Sequence, residues 1–206
     1  MASLVSYALT TVADVKETLG IPSSNTESDN LIIRKINQAT DMIETYTGRR
    51  FVVTDYTEEY DATNIDQLIL KQRPVATLTS FEVRDSTLNE NDWDSIESTL
   101  YFTDEKAGVI DLNFSASGRW NRYRVVYSAG YNPLPSDLTE ACATLAAYLV
   151  DSGTSGTNVK KKQEGARSVE YFDPKAGSSN TSDIFDILNL TVTLNAYANN
   201  PILADK

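Results

Sequence analysis

Ile32, Ile36, Ala39, Ile43 and Tyr46 recur at spacings of four, three, four and three, and Gly48 closes the series. That period lays one apolar stripe along an α-helix and fits no strand, whose side chains alternate every two residues. From Phe51 to Tyr127 the pattern breaks into short apolar or alternating runs separated by Gly, Asn, Asp and Pro, as strands and hairpins do. A second change of period follows at "YSAGYNPLPSDLTEACATLAAYLV", Tyr127 to Val150, where the chain returns to helix. The expected class is therefore α+β: a mainly helical bundle with an inserted antiparallel β section and a flexible C-terminal arm.

The local signals fill in this plan. In "TVADVKETLG" Thr11 caps a helix over 11–19, Asp14 sits three residues later, Val12, Val15 and Leu19 share a face, and Gly20 and Pro22 stop it. The stripe gives a helix over 29–47. Within the β section, 51–128, Pro74 separates Leu68–Leu70 from a run in which Val75, Thr77, Thr79, Phe81 and Val83 share one face. Leu100–Thr103 and Val109–Phe114 form a hairpin around the turn Asp104–Gly108, and "RYRVVYSAGY" supplies the last strand. At the corner Gly130 allows a sharp exit, Pro133 and Pro135 hold an extended connection, and Ser136 or Asp137 caps a helix over 137–151, with Glu140 completing a box with Asp137. Leu138, Ala141, Cys142, Leu145, Tyr148 and Leu149 form its apolar face. Small residues at Ala141, Ala143, Ala146 and Ala147 let the 29–47 helix approach closely, burying Ile36, Ile43, Leu138 and Leu145.

After Asp151 two Gly/Ser-rich stretches surround a short basic and aromatic segment, read as connectors or exposed loops. The domain plan is thus a core over 1–152 and a loop with a C-terminal assembly arm over 153–206. The arm's Tyr171, Phe172, Ile184, Phe185, Ile187, Leu188 and Leu190 are too many apolar groups for a free tail, and all of them but Ile187 are its candidate assembly contacts. Lys160, Lys161 and Lys162 are candidate contacts to DNA phosphates, although three lysines in an acidic chain are more often a solvated loop. On this plan, deleting 180–206 leaves the melting point of the core nearly unchanged.

Composition prunes the functional classes. Eighteen Lys plus Arg against twenty-nine Asp plus Glu give a net charge of −11, which disfavours gripping nucleic acid or anionic lipid over the whole surface. No apolar run approaches a membrane span, and "MASLVSYALTTVADV" has no basic stretch, so neither membrane insertion nor secretion is expected. The single Cys142 excludes an internal disulfide, and the absence of His removes the commonest base and metal ligand. The acidic stretches "DYTEEYDATNID" and "NENDWDS" read as solvated loops; the second lacks the glycine and alternating ligands of a calcium loop. No enzyme activity, cofactor or metal is expected.

The order of the parts resembles the head-tail connector (adaptor) proteins of long-tailed bacteriophages. The residues concerned are "T-x-x-D-V-K-x-x-L-G-I", "I-E-x-Y-T-G-R-R-F", "Q-R-P-V", "V-V-Y-S-A-G-Y", "P-x-D-L-x-x-A" and Gly165, Ser168 and Tyr171 of "EGARSVEY", from about Thr10 to about Asp173. The resemblance implies a virion protein, made in the host bacterial cytoplasm, that assembles with copies of itself into a dodecameric ring between the portal protein and the next neck or tail component. It also implies that DNA passes through the ring's channel without sequence-specific binding. An alternative from another class is a β-rich module that binds a peptide or glycan through Tyr56, Tyr60 and Trp93.

Overall fold

A computed structural model describes residues 2–62, 66–85, 93–113, 121–154, 161–164, 167–170 and 181–198. The chain divides into two compact units, a helical one built from residues 1–49 and 134–206 and a β unit over residues 50–133.

In the helical unit α1 spans Val12–Leu19, α2 Asp29–Thr47 and α3 Ser136–Thr154. Thr11 and Asp14 form a reciprocal capping box: the Asp14 N–H donates to Thr11 Oγ1 and the Thr11 N–H to Asp14 Oδ2. The Thr11 hydroxyl also donates to Asp14 Oδ2 at 2.7 Å, and these bonds hold the Asp14 carboxyl below its usual range. Gly20, at φ 67°, ends α1, and the Ile21 N–H returns to the Lys16 carbonyl at 2.8 Å. Lys16 is buried, and its ammonium meets Asp29 at 2.6 Å, the first residue of α2, where a negative side chain also favours the helix start.

The α2 stripe is fully enclosed: Ile32, Ile36, Ala39 and Ile43 have no accessible surface. Helix α3 packs against both α1 and α2, so it is buried on more than the single face its periodicity implies. Ala143, Ala146 and Ala147 are buried beside Leu138, Ala141, Cys142 and Leu145, whereas Tyr148 is only half-buried. Small side chains at these positions let two helices approach the same one. Thr40 joins three segments, accepting the Leu9 N–H at 3.3 Å and facing Cys142 Sγ at 3.7 Å. The preceding residues run along α2, where Asn37 accepts from the Val5 N–H and donates to the Ser3 carbonyl. Asp137 accepts the Leu138 N–H and the Tyr197 hydroxyl.

The β unit holds a four-stranded antiparallel sheet in the order β1-β7-β3-β4 and a three-stranded one in the order β2-β6-β5. The first is made of Thr54–Ala62, Asn121–Ala129, Val75–Asp85 and Asp94–Ser95 in that order; the second of Gln67–Ile69, Val109–Leu112 and Tyr101–Asp104. Both sheets contribute to one apolar core. Leu68 and Ile110 come from the small sheet; Phe81, Tyr123, Val125 and Tyr127 come from the large one. The Phe81 ring stacks on Tyr123 at 5.8 Å and meets the Tyr101 ring edge-on at 5.2 Å.

Three expectations need correction. Strands hold a large share of the described residues and have their own compact unit, so the fold is a mixed α+β one and not a mainly helical bundle. Thr77 and Thr79 do not share the Phe81 face: register shifts at Val75/Thr77 and Leu78/Ser80 expose both threonines and press Leu78 on the core. The acidic stretch from Asp55 to Asp61 is no loop but edge strand β1, paired along its whole length with β7. Its Tyr56 and Tyr60 pack on the core, and between them Glu58 accepts the Tyr60 hydroxyl and the Lys71 N–H.

The chain enters and leaves this unit side by side. Val52 bridges Tyr131, the Tyr131 N–H donates to the Phe51 carbonyl at 2.7 Å, and the Gly130 N–H donates to the Pro74 carbonyl at 2.9 Å. Gly130 has φ 137°, and a Cβ there would lie 2.6 Å from the Val53 nitrogen. Gly130→Ala is thus expected to cost at least about 2 kcal/mol in urea unfolding. Gly20→Ala, with open space around its Cβ and only the left-handed φ to oppose it, should cost about 1 kcal/mol.

Tyr60 and Tyr127 both ionise above the ordinary value of 10.0, chiefly because burial disfavours the phenolate; hydrogen bonding to Glu58 adds to this at Tyr60. The unfolded chain releases these protons first, so stability present below pH 10.0 is lost as pH rises past it. Denaturant midpoints measured across this range should fall steeply, and less steeply in Tyr127→Phe; equal slopes would show that Tyr127 is not the group responsible.

Candidate functional site

Among the described residues the one thiol is held in a structural role. Cys142 is buried, and burial pushes its thiol up to about 12, the opposite of what a nucleophile needs. Among the described residues no three His, Cys, Asp or Glu side chains converge on a metal position, and no helix is long and apolar enough to cross a membrane. On the outer face of the large sheet Arg122 pairs with Asp61 at 2.6 Å and Arg124 with Glu82. Trp93 lies against Arg84 and Arg124, whose guanidinium carbons are 5.1 and 4.5 Å from its ring centre. None of the three aromatics read as ligand-binding stands free, since Tyr56 and Tyr60 lean on the core and Trp93 is half-buried.

The C-terminal segment offers more. Helix α4, Thr181–Ile187, and helix α5, Thr191–Tyr197, are seven residues each, too short to persist without packing. Asn189, at φ 56°, turns the chain between them, and the Leu190 N–H returns to the Phe185 carbonyl at 2.8 Å. Phe185 is fully buried, with its ring edge-on to Tyr46 of α2 at 4.8 Å; Leu190 and Leu194 are buried too. Polar contacts close the seat. The Tyr46 hydroxyl donates to Asn195 at 2.9 Å, Arg49 Nη1 to the Tyr197 carbonyl at 2.9 Å, and the Tyr197 hydroxyl to Asp137 at 2.8 Å.

Of the candidate assembly contacts, then, Phe185 and Leu190 are consumed by the chain's own packing, and Ile184 and Leu188 are half-buried. Tyr171 and Phe172 lie outside the described residues, as does Lys160, while Lys161 and Lys162 belong to strand β8, Lys161–Glu164, which pairs with β9, Arg167–Glu170. The apolar groups that face outward are Ile187 and Val192, 41% and 83% exposed. The sequence reading counted Ile187 among the arm's apolar groups but missed Val192 and the residues that seat the segment, Tyr46, Arg49, Asp137, Asn195 and Tyr197. A signal for α5 was there: Leu190, Leu194 and Tyr197 are spaced by four and three.

An arm free of the core would be removable without cost, but this one covers apolar surface on α2 and α3. Deleting residues 180–206 is now expected to lower the melting temperature by about 5 °C or more. An unchanged melting curve would show that α4 and α5 are undocked in solution.

The model of a family described as head completion protein matches residues 8–173, across both units. No curated protein matches the chain. Among solved structures, a chain from the neck of an empty GTA particle computed with C6 symmetry is similar over 98% of this chain and 96% of that one, with a TM-score of 0.59 and 18% identity. A chain from the virion of a native gene transfer agent (GTA) particle is similar over 98% and 95%, with a TM-score of 0.56 and 17% identity. At these identities the likeness is one of fold.

Proposed function

The chain belongs to the head completion protein family, and on that premise we propose that it is a structural protein of the neck of a virus or virus-like particle, one subunit of a ring between head and tail. The family match over residues 8–173 carries this reading. The fold adds support, being coextensive with a neck chain over 98% of its length. In this reading the ring is dodecameric, seats on the portal protein, receives the next neck or tail component, and extends the channel for DNA. A net charge of −11 per copy suits a passage that DNA slides through without adhering. The segment 153–206 makes assembly contacts. Ile187 and Val192 join Tyr171, Phe172, Ile184 and Leu188 as its candidates, Phe185 and Leu190 being buried, and Lys160, Lys161 and Lys162 remain candidates for contact with DNA. The protein's work is mechanical and needs no catalytic group.

Electron cryo-microscopy of particles made with the tagged chain tests this reading. Density for a closed ring of this fold at the head–tail junction is expected. Purified particles without the chain, or with it only outside the neck, would sink the proposal.

A further inference from the structure

The outward face of the small sheet carries two large apolar side chains, one on each side of β6, that none of the described residues covers. Two residue rows cross this face, Gln67–Asp111–Phe102 and Ile69–Val109–Asp104, while the row between them sends Leu68 and Ile110 into the core. Strand alternation therefore fixes Phe102 and Ile69 outward, and they are 64% and 54% exposed. Both strands are fully paired to β6, so neither side chain can turn inward without losing the ladder. The polar groups between them are acidic or neutral. Asp111 accepts from Gln67 Nε2 at 2.7 Å, Asp104 ends β5, Glu105 follows it, and Lys106 stands in the turn beyond.

We propose that this face is a docking surface for a different protein of the particle, one that presents an apolar side chain fringed by Lys; the assignment rests on the reading of the chain as a neck component. The apolar pair supplies contact and the flanking carboxylates select the sign of the partner's charge. A second copy presenting the same face would set Asp104 and Asp111 against their own equivalents, and the rest of a chain with a net charge of −11 is on balance acidic too, which disfavours a further copy as the occupant.

Zero-length carbodiimide coupling of intact particles, read by mass spectrometry, tests the partner directly, because it joins carboxylates only to amines in contact. Asp104 or Asp111 should be found joined to lysines of another particle protein. Coupling only to lysines of this chain, such as Lys160–Lys162, or no coupling at all, overturns the proposal. In parallel, Phe102→Asp and Ile69→Asp are supplied to cells making particles that lack the wild-type chain. Both variants should melt like the wild type, and the yield of complete particles should fall by about tenfold or more, with Phe102→Leu restoring it. Normal yield from Phe102→Asp overturns the proposal. If the wild-type chain itself never enters particles, the proposed function has failed, and this inference falls with it.

Discussion

The β unit depends on a crossing with no room for a side chain. It is inserted between α2 and α3, so its first and last residues must lie beside each other for the helical unit to close on both sides of the insertion. Gly130 makes that possible: Val52 and Val53 pass where its Cβ would be, and Tyr131 bonds back to Phe51. From that point outward the unit follows from period and pairing. Central strand β7 points Tyr123, Val125, Tyr127 and Ala129 at the core, and the neighbouring strands take their register from it.

How far the sequence could be read depended on whether an element obeyed its own period. Helix α2 was legible because Ile32, Ile36, Ala39 and Ile43 keep the helical spacing and all face inward. Helix α1 was legible from Thr11 and Asp14, whose box is local chemistry. Strand β1 was not, because carboxylates at Asp55, Glu58, Glu59 and Asp61 outweigh the two tyrosines in any reading by composition. Its strand character comes from pairing with β7, whose residues Asn121–Ala129 lie far along the chain. Bulges in β3 were equally hidden, since alternation alone predicts that Thr77 stays with Phe81.

The candidate site was legible only in part, for a different reason. Apolar content in the C-terminal segment correctly signalled that it must be covered by something, but composition does not say whether the cover comes from the same chain. Tyr46, Arg49 and Asp137 supply it here, and they are scattered over two helices. Phe102 and Ile69 were invisible for the converse reason. In sequence they look like any core residues of short strands; only the pairing of β2 and β5 with β6 shows which way they face.

Strand β1 has one further consequence. Its backbone bonds β7 on one side, and among the described residues no strand takes the other. Such a margin invites any spare strand of another copy to zip onto it, and repetition of that event gives a ribbon without end. Asp55 and Glu59 stand along its solvent face, so two such margins repel before their amides can meet. At high local concentration, the acidity of this strand is a safeguard against polymerising along the wrong line.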